Sequence, residues 1–489
     1  MEGKTLLVVD VGSSVLKAVL FGPRGETLGW ASEPIATRSG ADRSTEQDPN
    51  QWWAALGAAV RGLPDASSAS AIAFSGSMQN LIALDPDGLP AGPAILYSDR
   101  RLEDIEIERL AEALPGDYSR RTGNRLDPAH TILKLMARDR FGLAGANAST
   151  RWTFGAKDAL TFRLTGESVI DPTTASTTGL MGIANLQWDD ELLAVAGVEK
   201  TALPHIRPAD AVVGQITRSA ADQTGLPEGI PVFNGSGDAG AATWGAGADA
   251  PGSAYCYLGT TGWVAATLDI GAAAPPRDIY TLADPVQPGR VVIISPFLTA
   301  GAAMDWLAAS TGRPVGQLLD EASREDDRPG GTLFLPYLGG ERAPFEDSKV
   351  RGAFLGLDRA TTPGAMALSV LEGVAFAVRH NLDAANLPPS VLTVIGGAAR
   401  HPLQRQVLAD ALGRDVAVPD DGETMTAAGV LRMVAGAAGI EPDRAGASAV
   451  VRPRPDRAAR HDARYAAYLS ATSFVRDLGQ VLAEPPPLM

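Results

Sequence analysis

Asp238 lies in the run Phe233-Asn234-Gly235-Ser236-Gly237-Asp238-Ala239-Gly240, just after the apolar stretch Ile230-Pro231-Val232-Phe233. Three glycines around one carboxylate let backbone and ligand approach closely, so this Asp is expected at the mouth of a strand rather than on a solvated helix. A carboxylate there can take a proton from a hydroxyl or hold a metal-bound water. Asp in a glycine-rich turn otherwise bonds its own backbone, so chemistry has to be argued from its company.

That company is a pair of glycine–hydroxyl turns. Leu6–Val11 and Val15–Phe21 are β-rich and flank Gly12-Ser13-Ser14, which reads as a hairpin. Its tip offers backbone N–H groups and hydroxyls to phosphate oxygens, and Asp10 at its base could hold Mg²⁺ through water. The pattern recurs after Asp238: Ala254–Leu258, then Gly259-Thr260-Thr261-Gly262, then Trp263–Leu268. Gly-Ser and Gly-Thr turns are common singly. Two of them, about 250 residues apart and each opening a domain, point to an internal duplication with one phosphate loop per half.

Other chemistries fit poorly. Gly235-Ser236-Gly237-Asp238-Ala239-Gly240 satisfies Gly-x-Gly-x-x-Gly, but it lies mid-chain and its acidic residue falls inside the turn, so a dinucleotide fold is rejected. No Gly-x-x-x-x-Gly-Lys-Ser/Thr occurs, so no Walker loop holds a nucleotide. His130, His205, His380 and His401 have no zinc spacing. Ser75-Gly76-Ser77 lacks the second glycine of a nucleophile elbow. Trp52-Trp53 could stack on a sugar, but beside Ala54-Ala55-Leu56 a core role is expected.

The elements that must carry these turns alternate. Strands are expected near 5–10, 15–21, 69–74 and 81–84, with helices around Asp48–Arg61, Arg101–Leu114, Pro128–Arg140 and Asp158–Leu164. In the second half, strands fall near 254–258, 263–268, 291–294 and 391–395, and helices around Ala300–Thr311, Thr362–Asn381, Pro402–Leu412 and Thr424–Ala437. Alternation of this kind favours α/β layers. The Gly-Ala-Pro stretch Gly245–Gly252 suits a hinge, dividing the chain into domains 1–246 and 252–441 with an extension, 442–489, packing on the body. The 489 residues suffice for two full cores. A formal net charge of −15 argues against a general nucleic-acid or anionic-membrane binder. One cysteine, Cys256, excludes an intrachain disulfide framework and fits a reducing compartment. The N-terminus carries no signal-peptide pattern and no apolar run reaches the roughly 18 residues of a membrane helix, so a cytoplasmic location is expected.

Taken in order along nearly the whole chain, the motifs resemble the FGGY family of carbohydrate kinases. Asp10–Lys17 resembles its first phosphate motif, and Glu46-Gln47-Asp48-Pro49 with Trp52-Trp53 a segment common in xylulokinases. Gly76-Ser77-Met78-Gln79 resembles a sugar-contacting loop, and Pro93–Arg101 the Pro-Ala-Ile-Leu-Trp-x-Asp-x-Arg segment. Gly235–Gly240 resembles the catalytic Asp turn and Leu258–Gly262 the second phosphate motif. Leu335–Pro344 with Gly352–Leu357 resembles the C-terminal signature, and Ile395–Arg400 the adenosine motif.

The resemblance implies an α/β chain of two ribonuclease-H-like, actin-like ATPase domains facing each other across a cleft. It implies ATP and Mg²⁺ as cofactors, with Asp10 at the metal and Asp238 as the catalytic base. Gly12, Ser13, Ser14 and Lys17 would serve the phosphates from one half, and Gly259, Thr260 and Thr261 from the other. Lys17 at a strand end is also a position where a plain surface lysine is common. Gly301, Asp305, Gly397 and Ala398 would line the nucleotide pocket, with bare backbone at Gly396-Gly397 under the adenosine. Met78, Gln79, Asp238 and Ala239 would meet the sugar.

Departures from the pattern bear on the substrate. Xylulokinases usually carry Met-His where this chain has Met78-Gln79, and Asn where it has Ala239. Both changes remove a polar contact, and buried polar sites discriminate strongly among hydroxyl patterns. Asp171–Leu180 is similar to gluconokinases of the family. Ala365 replaces a usual acidic or amide residue, and Ser13-Ser14 a usual Thr-Ser or Thr-Thr. The expected activity is ATP-dependent phosphorylation of a ketopentose, xylulose-like, or a related polyol. The alternative is a gluconate or other sugar-acid kinase, although Met78-Gln79-Asn80 supplies no cation for a carboxylate. A non-catalytic nucleotide-dependent binding protein is the third reading, and retention of both Asp10 and Asp238 speaks against it. The expected partners are sugar and ATP, not nucleic acid or membrane, with a homodimer left open.

Overall fold

Leu6–Val11 contains no polar residue before Asp10 and is buried on both sides, the pattern of a strand covered by layers on each face. The computed structural model describes residues 4–143, 145, 149–271, 279–326, 331–387, 390–419, 424–443 and 449–483. It places this strand at the centre of the first of two compact units. That unit comprises Met1–Gly245, Thr281–Val292 and Glu423–Ala445; the second comprises Ala246–Tyr280, Ile293–Gly422 and Gly446–Met489.

The first sheet runs in the order Val212–Gln215, Pro231–Phe233, Ala71–Gly76, Leu6–Val11, Val15–Phe21, Thr27–Pro34. Leu6–Val11 pairs antiparallel with Val15–Phe21, Asp10 opposite Lys17, and parallel with Ala71–Gly76. Pro231–Phe233 continues the parallel run and Val212–Gln215 closes it antiparallel. The second unit repeats this plan. Its strands follow the order Arg290–Phe297, Gly262–Asp269, Ala254–Leu258, Val391–Ile395, Asp415–Val418, Ala449–Val451. Ala254–Leu258 is antiparallel to Gly262–Asp269 and parallel to Val391–Ile395; Asp415–Val418 continues parallel and Ala449–Val451 closes antiparallel. Each glycine–hydroxyl turn therefore caps the central hairpin of its own sheet, as a duplicated α/β unit requires.

Strand periodicity sorts the first core into two layers. Leu7, Val9 and Val11 pack with Trp52, Leu56 and Val60 of the helix Pro49–Gly62. That helix starts where Asp48 accepts the Asn50 N–H and Pro49 takes the first turn. On the opposite face, Leu6 and Val8 pack with Ala241, Val430, Leu431 and Val434.

The last three residues explain why the compact units are not continuous in sequence. The helix Met425–Ala438 covers the first sheet, so its apolar face belongs to the first core although it follows the second sheet in sequence. It packs nearly backbone to backbone on the helix Asp238–Gly245. A Cβ at Gly429 would lie 1.9 Å from the Ala241 carbonyl, and one at Gly245 2.3 Å from that of Met425.

Of the extension 442–489, residues 444–448 and 484–489 lie outside the described residues. Its helix, Ala458–Ala483, joins the second unit through Tyr468 and Thr472 hydroxyls at 2.7 and 2.9 Å from Tyr337 Oη, and through Arg464 on Glu372.

Candidate active site

Asp238 stands at the end of a strand, as expected, but also at the start of a helix. It opens the helix Asp238–Gly245, directly after the short strand Ser236–Gly237. The reason is local. Gly235 adopts φ 67°, and a Cβ there would lie 1.7 Å from the Phe74 carbonyl oxygen, so only glycine can turn so close to the neighbouring strand. Ser236 and Gly237 then pair with Ser75 and Gly76, and the small residues that follow form a helix that can touch Gly429. The carboxylate at this helix start benefits from the positive end of the dipole. Burial by the surrounding protein nevertheless pushes its pKa up to about 7, helped by the negative charges of Asp10 and Asp171. The side chain is still exposed to solvent, and water reaching it offsets part of that desolvation.

Asp10 shares the face of Leu6 and Val8, the face covered by the Asp238 helix. Its Oδ1 is buried without a hydrogen-bond partner. Burial raises its pKa, with Ser75 and Lys17 pulling the other way. An unpartnered carboxylate oxygen fits a hard cation. Among the described residues no group of three or more His, Cys, Asp or Glu could hold a metal alone, so Mg²⁺ here would draw its other ligands from phosphate and water.

The first turn is braced from behind. Gly12 N–H donates to the Val15 carbonyl at 3.1 Å. The Ser13 carbonyl accepts from Gln47 Nε2 at 2.6 Å and Thr37 Oγ1 at 3.2 Å, and the Ser14 carbonyl from Ile35 N–H at 2.8 Å. Gln47, in the segment resembling xylulokinases, thus supports the Gly12-Ser13-Ser14 turn. Lys17 lies across from Asp10 with its ammonium 5.4 Å from the Trp30 ring centroid. Trp52 and Trp53 are core residues, their indole N–H groups on Gln47 and Gln223.

Met78 and Gln79 come to the Asp238 side of this unit. The space a Cβ of Gly237 would fill is occupied by Met78, whose Sδ would be 2.1 Å from it. Gln79 has φ 59°, a left-handed conformation that a non-glycine residue holds at a cost. Lys134, fully buried, donates to the Gln79 carbonyl at 3.0 Å and to that of Leu96 at 2.9 Å. Burial lowers this ammonium to about 7. Ala239 follows Asp238 in the first turn of the helix, half-buried.

Sequence reasoning missed Lys134, Lys157, Asp158 and Asp171 as site residues. The Asp171-Pro172 pair was readable as a helix start, since Asp171 caps Pro172–Ser176. Nothing local marks three charged residues of the helix region 156–171 as fully buried.

In the second unit, Gly259, Thr260, Gly301, Asp305, Gly397 and Ala398 line one cavity of about 660 Å³. Tyr257, Met304, Leu371 and Val374 add apolar wall; Arg400, from the Ile395–Arg400 motif, and Gln404, which the sequence reading did not name, add polar groups. Thr261 is not among the lining residues; its carbonyl accepts the Gly259 N–H at 2.9 Å. Gly301 N–H donates to the Gly259 carbonyl at 2.8 Å, and a Cβ at Gly301 would lie 2.7 Å from that oxygen. The expectation for Gly396 needs correcting. Its φ of 100° and its approach to Leu258, 2.4 Å from a Cβ to the carbonyl oxygen, serve the backbone; only Gly397 lines the cavity. Glu341, buried, accepts from Leu298 N–H at 2.9 Å and Arg342 N–H at 2.8 Å, bracing the chain that leads to Gly301. Burial pushes its carboxyl up to about 7.

Residues 5–245 match the N-terminal domain of the FGGY family of carbohydrate kinases, and residues 254–438 its C-terminal domain. The chain is an FGGY-family carbohydrate kinase. This kinase is 31% identical over 489 residues to a xylulose kinase of Klebsiella pneumoniae, covering 98% of this chain and 99% of that protein. It is 33% identical over 446 residues to a glycerol kinase of Thermus brockianus, covering 86% and 88%. A crystal structure of xylulose kinase from Rhodospirillum rubrum superposes with a TM-score of 0.86 at 27% identity, covering 98% of this chain and all of that one. The kinase is thus a sugar phosphotransferase with the two-domain α/β fold of the actin-like ATPases. Among its described residues no helix is long and apolar enough to cross a membrane.

Proposed function

We propose that this kinase transfers the γ-phosphoryl group of ATP to a hydroxyl of a ketopentose of the xylulose type or a related polyol, with Asp238 as general base. The observation that carries this reading is the pair of carboxylates on one face of the first sheet: Asp238, open to solvent, and Asp10, with a buried oxygen that no protein donor meets. One is suited to a proton and the other to a cation.

The acceptor oxygen attacks the γ-phosphorus, the bond to the β-bridging oxygen breaks, ADP leaves with that electron pair, and the hydroxyl proton passes to Asp238. A carboxylate whose pKa is raised above the ordinary range is a stronger base and better able to take the proton. Phosphoryl transfer asks for positioning and charge more than covalent chemistry. At the Gly12 turn, Ser13, Ser14 and Lys17 offer hydroxyl and ammonium donors suited to phosphate oxygens; at the Gly259 turn of the second unit, Thr260 and Thr261 offer hydroxyls of the same kind. Gly301, Asp305, Gly397 and Ala398 hold the nucleoside. Mg²⁺, held through Asp10, would neutralise phosphate charge. Met78, Gln79 and Ala239 orient the acceptor.

A neutral acceptor is favoured over a sugar acid. The cation beside the sugar loop, Lys134, is buried, spends its donors on two backbone carbonyls, and is held near 7. It is a poor partner for a substrate carboxylate. The relatives include xylulose, glycerol and gluconate kinases alike, so the choice between the two classes rests on Lys134.

An ADP-release screen over ketoses, polyols and sugar acids identifies the acceptor. With the best one, Asp238→Asn should lower kcat by about 10²-fold or more while ATP binding stays near the parent value. A folded Asn variant turning over at close to the parent rate sinks the mechanism.

A further inference from the structure

We infer that Asp171, anchored by Lys157, is a positioning residue that fixes the Ser236-Gly237 segment from which Asp238 is presented. This rests on the reading of Asp238 as the base.

Asp171 is fully buried and its two oxygens collect donors from three parts of the chain. Gly237 N–H lies 3.3 Å from both oxygens and Ser236 Oγ 3.3 Å from Oδ1. Thr174 donates its N–H at 3.1 Å and its hydroxyl at 2.5 Å. Lys157 Nζ lies 3.1 Å away. The same ammonium, also fully buried, reaches Asp158 Oδ1 at 2.5 Å and Asn234 Oδ1 at 3.3 Å. Asn234 in turn donates to the Arg207 carbonyl at 2.7 Å. Lys157 therefore grips the start of the turn 234–237 and Asp171 its end. Burial works to lower the Lys157 pKa, but Asp158 and Asp171 outweigh it and keep the ammonium charged.

Stability alone is a weak reason for such a cluster. Taking an ammonium and two carboxylates out of water costs several kcal/mol per ion, and well-packed apolar side chains of similar volume often serve the fold as well or better. What the cluster does supply is direction. Gly235 and Gly237 have no side chains to hold them, yet the next peptide carries the base. A misplacement of about 1 Å at a reacting group can cost about 10²-fold in rate. Five donors converging on one carboxylate remove that freedom.

Asp171→Asn separates this role from helix capping, because Asn caps a helix about as well as Asp. The amide keeps one accepting oxygen and loses the other along with the charge. In the full chain, with ATP and the best acceptor, Asp171→Asn should lower kcat about 10- to 100-fold, with the ATP dissociation constant within about twofold of the parent. In an Asp238→Asn background the same change should lower the residual rate less than about twofold, since the residue it positions is already disabled. Should Asp171→Asn not fold, Ser236→Ala removes one donor and no charge, and should lower kcat about 2- to 5-fold with ATP affinity kept. The inference is overturned if the folded variant, Asp171→Asn or in its place Ser236→Ala, has parent-like kcat. It is equally overturned if the loss from Asp171→Asn persists in full without Asp238. Failure of the base reading shows separately, as parent-like turnover in Asp238→Asn alone, and removes both.

Discussion

Gly237→Ala adds one methyl group at the point where Met78 meets the turn that carries Asp238. Its Cβ would lie 2.1 Å from Met78 Sδ, 2.4 Å from Met78 Cγ and 2.7 Å from Thr174 Oγ1, where ordinary contacts are about 3.5–4.0 Å. Met78 has a flexible thioether end and can swing away. Thr174 Oγ1 cannot follow easily, because it is tied to Asp171 Oδ2 at 2.5 Å. The residual conflict pushes on the Gly237 backbone, one residue from Asp238. Overpacking of this kind typically costs about 1–3 kcal/mol, and each ~1.4 kcal/mol that falls on the transition state is tenfold in rate. The expected outcome is a Tm lowered by several degrees, kcat lowered about tenfold and a raised acceptor KM, as Met78 leaves its place. ATP affinity should not change, because the nucleotide cavity is built from other residues. Steady-state ADP release, a thermal melt and nucleotide titration read these separately. Adding Met78→Ala removes two of the three close contacts and should recover part of the Tm but not the kcat, since Thr174 remains. If Gly237→Ala keeps parental kcat, acceptor KM and Tm, Met78 and Gly237 do not form one site.

Turnover should stop in excess chelator and return with Mg²⁺, and Asp10→Asn should raise the Mg²⁺ concentration needed for half-maximal rate; chelator-resistant turnover would remove Asp10 from the metal. Gly301→Ala forces a Cβ to within 2.7 Å of the Gly259 carbonyl and should raise the ATP KM about tenfold with acceptor KM kept; an unchanged ATP KM contradicts the nucleotide assignment. Glu341 is held at about 7 in the fold against 4.5 when exposed, so the native state binds the extra proton, and its contribution is present below about pH 4.5 and lost as pH rises through about 7. Glu341→Gln keeps the two accepted N–H bonds and cannot ionise, so between pH 5 and 8 the parent should lose about 1–3 kcal/mol of unfolding free energy relative to the variant; parallel denaturation profiles would refute the raised pKa.

Much of this was legible from local pattern. Leu6–Val11, Ala254–Leu258 and Val391–Ile395 are mainly apolar runs between turn residues, and the helix after Asp48-Pro49 starts where its cap says it should. Periodicity and capping act over a few residues, so the chain displays them without folding. The glycines at 259, 301 and 397, singled out by motif order, line one cavity, and Gly301 is one where backbone comes too close for a side chain. Other features depended on partners far away in the chain. The helix that Asp238 opens packs against Met425–Ala438 because Gly429 and Gly245 let the two backbones touch, and Met425–Ala438 joins the first unit because that sheet has an apolar face to cover. Lys134 meets Gln79 across 55 residues and Asp171 meets Gly237 across 66. A buried lysine and a surface lysine look alike in sequence. Whether one loses its water is settled by long-range packing, and only then do charge, hydrogen bonding and pKa follow.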